Sequence, residues 1–151
     1  MSRLVSPFVM WAIVAAGVWA CWQWLPRDWL WPRTAWTGWL IVPAVLNWLY
    51  FFLGGLWANR APARSAGTVE DVVTSGVYAK VRHPIYSADI FLAWGIACFW
   101  PAAWFVGSAV WGTVVLVGWM KLEESVLVRR FGDAYRDYQH RTPMIVPRYF
   151  R

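Results

Sequence analysis

Residues 85–121 read IYSADIFLAWGIACFWPAAWFVGSAVWGTVVLVGWMK and hold two apolar runs that are separated by Pro101. Apart from Asp89 and the final lysine, the stretch carries no charge. An α-helix needs about 20 apolar residues to cross the hydrocarbon core of a bilayer, and proline interrupts a helix because it lacks a backbone N–H. The stretch therefore predicts a hairpin of two transmembrane helices, over residues 85–100 and 102–121, joined by an uncharged turn.

Two more apolar runs lie upstream, and they predict spans over residues 7–25 and 36–57. Pro43 lies inside the second run and predicts a kink there. Hydrophobic residues make up 60% of the chain and charged residues only 15%, which excludes an ordinary soluble domain. We therefore predict an all-α integral membrane protein, a single membrane domain over residues 1–151 with about four transmembrane helices.

Basic residues flank the hairpin on both sides. Those that precede it are Arg60, Arg64, Lys80 and Arg82, and those that follow it are Lys121, Arg129, Arg130, Arg136, Arg141, Arg148 and Arg151. Lysine and arginine favour the cytoplasmic side of a membrane, so we expect both flanks, and by counting spans both termini, in the cytoplasm. The net charge of +6 then indicates contact with anionic lipid headgroups and no role in nucleic-acid binding.

The segment TSGVYAKVRHPIYSAD, residues 74–89, carries several side chains that can bind or react. They are Tyr78, Arg82, His83, Tyr86 and Asp89. Pro84 suits the first turn of a helix, because its missing N–H costs nothing there. The start of that helix could hold an anionic group, with Arg82 as an additional donor. In a second interpretation, Arg82 and His83 are interfacial anchors that bind no ligand.

Asp89 lies one turn into the predicted third span, on the helix face that also carries Tyr86 and Arg82. An ionisable residue at that depth is a functional candidate by default. Near the membrane interface it could equally form an ion pair with Arg82. Both interpretations stay open from the sequence alone.

Beyond the fourth predicted span, the pair Glu123-Glu124 is followed by Tyr135 and Tyr138 at helical i,i+3 spacing. This pattern predicts an amphipathic cytoplasmic helix within residues 122–147. Such a helix could simply lie among lipid headgroups. Adjacent carboxylates are unfavourable beside anionic lipid, however, and they suit the hydroxyl or ammonium groups of a ligand. The predicted topology puts them on the same side of the membrane as the segment that opens the third span.

Two segments resemble a known family. VVTSGVYAKVRHPIY (residues 72–86) and EESVLVRRFGDAYRDYQHRTPMIVP (residues 123–147) are similar to the C-terminal core of the isoprenylcysteine carboxyl methyltransferases and the related phospholipid methyltransferases. The shared motifs are R-H-P-x-Y, the paired glutamates, F-G-x-x-Y-x-x-Y and T-P-x-x-x-P, over residues 70–147. The resemblance implies methyl transfer from S-adenosylmethionine, bound in a cytoplasm-facing pocket, to a lipophilic acceptor. That acceptor would be the carboxylate of an isoprenylcysteine-like compound or a related lipid.

The resemblance assigns the cofactor to residues 70–86 and 122–147. The residues implied are Glu70, Asp71, Val72, Val73, Tyr78, His83, Pro84, Ile85, Tyr86, Glu123 and Glu124, with Tyr135 as a second aromatic for the adenine ring. Arg82, His83 and Asp89 are the catalytic candidates. Arg82 and His83 would hold the cofactor, whereas Asp89 would orient the acceptor or, like His83, take a proton from an amine acceptor. No metal is expected.

The acceptor itself stays open. Isoprenylcysteine enzymes have a substrate-contacting arginine about one turn before the cofactor glutamate, where this chain has Trp119. Trp119 and Lys121, the nearest cation, are therefore the substrate-binding candidates. Carboxylate, amine and thiol acceptors, including prenylated ones, all remain possible, and the sequence does not indicate the oligomeric state.

Two other functions compete with methyl transfer. R-H-P-x-Y followed by an acidic residue at Asp89 also resembles the membrane sterol reductases, which use NADPH but need many more spans than four. A non-catalytic lipid-binding membrane protein is the third possibility. The T-S-G-V-Y lead-in before R-H-P-x-Y favours the methyltransferases.

Overall fold

The computed structural model describes residues 6–32, 34–58 and 72–149. Within these ranges the chain forms six α-helices, and a short 3₁₀ helix, Gly76–Ala79, precedes the fourth. The helices are α1 (Pro7–Trp24), α2 (Ala35–Trp39), α3 (Ile41–Ala58), α4 (Pro84–Phe99), α5 (Ala103–Phe131) and α6 (Asp133–Arg141). The prediction of an all-α fold is confirmed for the part of the chain that is described.

Prolines set the ends of two long helices. In α4, Pro84 stands in the first turn, where a missing N–H costs nothing. The residue before a proline is forced out of the helical conformation, and α4 accordingly ends before Trp100, which precedes Pro101. Pro7 and Pro26 bound α1 in the same way. The bounds of both helices therefore follow from local signals in the sequence.

The second predicted span is interrupted at Leu40, which separates α2 from α3. Pro43 explains the interruption, because its nitrogen cannot donate to the carbonyl of Trp39 and its ring crowds that carbonyl. The helix is therefore interrupted three residues before the proline, whereas the sequence predicted a kink at the proline itself. The cause is the predicted one, and only its position differs.

Three stretches are long and apolar enough to cross a membrane, namely Pro7–Trp24, Ala35–Ala58 and Ala103–Phe131. α4 is apolar but has 16 residues, which span about 24 Å against a hydrocarbon core of about 30 Å. By length and composition, the chain is therefore a multi-pass membrane protein with three stretches that are long enough to span a bilayer in its described part. A fourth complete span, over residues 85–100, stays a prediction.

α4 packs against both α3 and α5, and α1 packs against α5. Gly95 makes the contact with α3 close, because a Cβ there would lie 2.3 Å from Cβ of Ala44. Small residues allow membrane helices to approach in this way. At the end of the hairpin, Leu30 of the α1–α2 loop donates its N–H to the Pro101 carbonyl at 2.9 Å. The loop and the hairpin turn therefore lie at one end of the helices, as the predicted topology requires.

α5 continues beyond residues 102–121, where the fourth span was expected, and ends at Phe131. No proline or glycine lies between Lys121 and Phe131 to stop it. The residue that caps the helix is Gly132, whose φ of 57° is accessible to glycine without strain. α6 follows directly. Residues 122–147, where one amphipathic cytoplasmic helix was expected, thus contain the end of α5 and the separate helix α6, and their cytoplasmic side stays a prediction.

The chain after α6 returns to the segment that precedes α4. The Arg82 N–H donates to the Pro143 carbonyl at 2.9 Å, and the Arg148 N–H donates to the Lys80 carbonyl at 3.1 Å. This pairing gathers the C-terminal segment, the end of α5 and the start of α4 at one end of the helices. The hairpin turn lies at the opposite end.

Candidate functional site

Arg82 and His83, at the start of α4, lie beside Glu124 of α5. Arg82 Nε donates to Glu124 Oε1 at 2.6 Å, and His83 Nε2 lies 3.1 Å from the same oxygen. The three side chains are between 7% and 11% exposed, so the contact is buried. Because burial weakens the competition from water, these charge-assisted hydrogen bonds are strong. The structure therefore brings together the two segments that the sequence motifs singled out.

Further hydrogen bonds tie this pair to α6 and to the segment after it. Gln139 Nε2 donates to Glu124 Oε2 at 2.8 Å. Arg82 Nη1 donates to the carbonyl of Gln139 at 2.8 Å and also to the carbonyl of Thr142. Arg82 therefore commits Nε and Nη1 to acceptors of the protein, where a donor fork for a ligand was expected. Its position makes it the residue that holds α4, α5 and α6 together.

Glu123 has a different environment. Tyr86 donates its hydroxyl to Glu123 Oε1 at 2.8 Å. His83 Nδ1 lies 3.8 Å from Glu123 Oε2, beyond hydrogen-bond distance. The His83 and Tyr86 rings are nearly parallel, with centroids 6.0 Å apart. The imidazole therefore stands between two carboxylates, with one near each ring nitrogen. The polar cluster comprises Arg82, His83, Tyr86, Glu123, Glu124 and Gln139.

Asp89 lies outside the polar cluster. Trp48 of α3 donates its indole N–H to Asp89 Oδ1 at 2.8 Å. The ion pair between Asp89 and Arg82, which the sequence left open, is not formed, since Arg82 pairs with Glu124 instead. Asp89 Oδ2 is buried and has no hydrogen-bond partner among the described residues.

Trp119, a candidate for substrate binding, lies in a buried apolar layer. It is 6% exposed, and the layer comprises Trp119, Met10, Ile90, Leu116 and Met120. Tyr86 of the polar cluster packs against this layer, so the two groups are adjacent. The Trp119 indole N–H finds no acceptor in the described part of the chain. A buried donor without an acceptor is unusual in a protein interior.

Tyr135 and Tyr138 of α6 are 2% and 5% exposed, and their ring centroids lie 5.8 Å apart. Burial raises the pKa of both phenols, which therefore stay protonated near neutral pH. Tyr138 donates its hydroxyl to the Tyr78 carbonyl at 2.7 Å. This hydrogen bond anchors α6 to the 3₁₀ helix. Tyr135 is covered by the protein and could stack on an adenine ring only if its neighbours moved.

The remaining candidates differ in their exposure. They comprise the buried Pro84, the half-buried Val72, Val73 and Ile85, and the exposed Lys121. Glu70 and Asp71 lie outside the described residues. Lys121 is therefore accessible to headgroups or solvent, whereas Trp119 faces the protein interior.

Two polar contacts of this region were not expected from the sequence. Gln139 directly follows Tyr138 of the F-G-x-x-Y-x-x-Y motif. Its position on the same short helix could therefore have identified it as a candidate for the site. Trp48 is one of 15 tryptophans, and no pattern distinguishes it from the others.

The fold and the site together define a class of protein. It is a helical membrane protein in which an imidazole lies between two carboxylates at one end of a helix pair. The family model described as phospholipid methyltransferase matches residues 61–134. The matched part contains His83 and both glutamates. The resemblance identified from its motifs is therefore confirmed: the chain is similar to the family of membrane methyltransferases.

Individual relatives carry related names. Methanethiol S-methyltransferase 2 of Bradyrhizobium diazoefficiens is 31% identical over 85% of this chain and 54% of its own length. A methanethiol S-methyltransferase of Pseudomonas sp. is 27% identical over 93% of this chain and 54% of its own length. A protein-S-isoprenylcysteine O-methyltransferase of Schizosaccharomyces pombe is 33% identical over 50% of this chain and 33% of its own length. The chain thus spans about half the length of the methanethiol S-methyltransferases that it matches. No solved structure matches the chain.

Proposed function

We propose that the chain acts as an S-adenosylmethionine-dependent methyltransferase whose acceptor is a small thiol. The observation that carries the proposal is the position of His83 between the carboxylates of Glu123 and Glu124, inside the segment that matches the family. The relatives that align along most of this chain are named methanethiol S-methyltransferases, which supports a thiol as the acceptor.

The polar cluster has groups that suit S-adenosylmethionine. Glu123 accepts a hydrogen bond from Tyr86 and retains acceptor capacity for ribose hydroxyls or an ammonium group. The first turn of α4 begins at Pro84, and the N–H groups at a helix start favour an anionic group such as the cofactor's carboxylate. The basic residues that flank α4 and α5 support a cytoplasmic position for this end of the protein.

Glu124 would set the proton position on His83. A carboxylate only accepts hydrogen bonds, so in this proposal His83 would carry its proton on Nε2, 3.1 Å from Glu124 Oε1. The lone pair of Nδ1 is then available as a base. Glu123 Oε2, 3.8 Å from Nδ1, would stabilise the imidazolium that forms when Nδ1 takes a proton.

Thiols react as thiolates, so the acceptor must lose its proton. In this proposal, His83 Nδ1 accepts the proton of the thiol. When bound, S-adenosylmethionine would supply a methyl group on a sulfonium, whose C–S bond breaks with its electron pair left on the donor sulfur. The new bond forms to the acceptor sulfur. The remaining task of the protein is alignment and exclusion of water, which can lower a barrier by roughly 7–11 kcal/mol.

The apolar layer beside the polar cluster supports a small acceptor. Met10 and Met120 have no exposed surface, and Trp119 is 6% exposed. Because these side chains pack against each other, a prenyl chain could enter only if they separated. A prenylated carboxylate that approaches from the bilayer is the second candidate acceptor, supported by the resemblance to the isoprenylcysteine O-methyltransferase.

Binding of S-adenosylhomocysteine to the full chain in detergent, measured by isothermal titration calorimetry, tests the cofactor. We expect Glu123→Gln and His83→Ala to weaken binding at least about tenfold. Asp133→Asn is the matched control, since it removes an acidic side chain that is 89% exposed. Unchanged affinity in both site variants would remove these residues from the cofactor site. Binding of NADPH instead would favour a reductase, and binding of neither would favour a lipid-binding protein.

An assay with labelled S-adenosylmethionine tests the acceptor. The acceptors compared are methanethiol, a farnesylcysteine derivative and vesicles of phosphatidylethanolamine. We expect label in the product of methanethiol. Transfer to the farnesylcysteine derivative alone would replace the thiol by the prenylated carboxylate.

A further inference from the structure

Two buried polar atoms beside the polar cluster have no hydrogen-bond partner among the described residues, and they are Trp119 Nε1 and Ser87 Oγ. Trp119 is 6% exposed and Ser87 has no exposed surface. A polar group that is buried without a partner destabilises the folded protein. Groups of this kind are rare in native structures, and they are explained when a ligand supplies the missing partner.

Along its own helix, each of the two residues lies about one turn from a member of the polar cluster. Ser87 follows His83 by four residues, and its N–H donates to the His83 carbonyl at 2.9 Å. Trp119 precedes Glu123 by four residues on α5. Residues four apart share a helix face, so Ser87 and Trp119 each lie on the helix face that carries a member of the polar cluster. Tyr86 connects the two, because it donates to Glu123 and packs against the apolar layer that contains Trp119.

Two other unpartnered polar atoms belong to a different contact. Asp89 Oδ2 and Asn47 Nδ2 also lack partners among the described residues. The other polar atom of each side chain, however, accepts a hydrogen bond at a contact of α3. Trp48 donates to Asp89 Oδ1, and Tyr149 donates to Asn47 Oδ1. Both residues are therefore already held by contacts of α3.

We propose that the Trp119 indole N–H and the Ser87 hydroxyl bind the sulfur of the acceptor as a small thiolate. The inference rests on the proposed function and adds the residues that receive the acceptor. An indole N–H can only donate, and a serine hydroxyl donates readily, so the pair selects a ligand atom that accepts hydrogen bonds. This chemistry rejects an ammonium group.

The surroundings of the two donors favour sulfur over a carboxylate. Met10, Ile90 and Met120 of the apolar layer are at most 6% exposed, and they offer soft, apolar contacts. A carboxylate would lose more hydration on entering such a layer than a thiolate, whose charge is diffuse. The location one turn from His83 also suits removal of the thiol proton by that residue. Trp119 thus serves as a specificity-determining residue.

Kinetics with sodium methanethiolate and labelled S-adenosylmethionine test the inference on the full chain in detergent. We expect Trp119→Phe to raise KM for the thiol about tenfold, the effect of one lost hydrogen bond to a charged group, and Ser87→Ala to raise it several-fold. The affinity for S-adenosylhomocysteine should not change in either variant. Trp94→Phe is the matched control, since it removes an indole N–H that donates to Thr113 Oγ1 at 3.0 Å. Its KM should equal that of the wild type.

Thermal unfolding separates acceptor binding from a structural role. Because the Ser87 hydroxyl has no partner among the described residues, Ser87→Ala should keep or raise Tm while it raises KM. A lower Tm together with an unchanged KM would overturn the inference, as would an unchanged KM in both variants. Wild-type protein that binds S-adenosylhomocysteine but methylates no thiol would overturn the inference and leave the cofactor site standing. Absence of S-adenosylhomocysteine binding would instead remove the proposed function.

Discussion

Glu123 and Glu124 are neighbours in the chain, yet they have opposite environments. Glu124 receives Arg82 Nε and His83 Nε2 on one oxygen and Gln139 Nε2 on the other. Glu123 accepts one short hydrogen bond, from Tyr86, and has His83 Nδ1 at 3.8 Å. One carboxylate is therefore occupied by the protein, and the other keeps capacity for a ligand.

The difference arises from helix geometry. Successive residues on an α-helix point about 100° apart. Glu124 therefore reaches the residues just before α4 and also α6, while Glu123 reaches Tyr86 in the first turn of α4. A buried ion pair is held strongly when its remaining acceptor sites are also filled. Two adjacent residues of the same type can therefore have different roles: Glu124 supports the structure, and Glu123 is left to bind a ligand.

The largest expected effect is the loss of stability in Glu124→Ala. The substitution leaves the buried Arg82 guanidinium without its carboxylate, and breaking a buried pair in this way costs about 3–5 kcal/mol. Unfolding in mixed detergent micelles, followed by circular dichroism, measures the free energy. A loss below about 1 kcal/mol would show that Glu124 is not the structural partner in this comparison.

Glu123→Gln should separate binding from stability. The amide oxygen of glutamine can still accept the Tyr86 hydrogen bond, so the free energy of unfolding should change by less than about 1 kcal/mol. Affinity for S-adenosylhomocysteine should fall at least about tenfold, because the negative charge is lost. Both quantities are measured on the same preparation. Destabilisation as large as that of Glu124→Ala would erase the distinction between the two glutamates.

Gln139→Ala should have an intermediate effect on stability. It removes one neutral donor from Glu124 Oε2 and leaves Arg82 and His83 on Oε1. A hydrogen bond to a charged group contributes about 1.5–3 kcal/mol, but water can replace the donor at this half-buried position, so we expect about 1 kcal/mol. The same unfolding experiment measures it. A loss of unfolding free energy equal to that of Glu124→Ala would mean that the contact of Glu124 with α6, rather than its ion pair with Arg82, provides most of the stabilisation.

Asp133→Asn should have the smallest effect. Asp133 and Arg136 form an ion pair at 2.7 Å, but their side chains are 89% and 57% exposed. Exposed pairs contribute little, so the free energy of unfolding should change by less than about 0.5 kcal/mol. A larger loss would indicate that charge changes anywhere on α6 disturb the polar cluster. Asp133→Asn could then not serve as the reference against which the two glutamate variants are compared.

Helix positions were largely predictable because their signals are local. The third span was predicted over residues 85–100, and α4 runs over Pro84–Phe99, where prolines start and stop it. The extension of α5 to Phe131 was not predicted, because apolar content identifies a membrane span but not the polar continuation of the same helix. The break at Leu40 was displaced from Pro43, because a proline acts on the preceding turn.

The meeting of His83 with the two glutamates was predictable from topology. A hairpin of two helices returns its far end to the side where it began, and the motifs lie at those two ends. The choice of partners was not predictable. Asp89 was the carboxylate considered as a partner of Arg82, but Arg82 pairs with Glu124, while Asp89 accepts a hydrogen bond from Trp48.

The sequence by itself determined a helical hairpin, the bounds of α4, the start of α5 and the end of the protein at which the ionisable residues gather, because run length and proline act locally. Only the tertiary structure decided which side of each helix faces which neighbour. A helix that is apolar nearly all round has no stripe that specifies its rotation. Packing against the other helices and the return of the C-terminal segment therefore decide that Glu124 meets Arg82 and that the Trp119 N–H lacks an acceptor among the described residues.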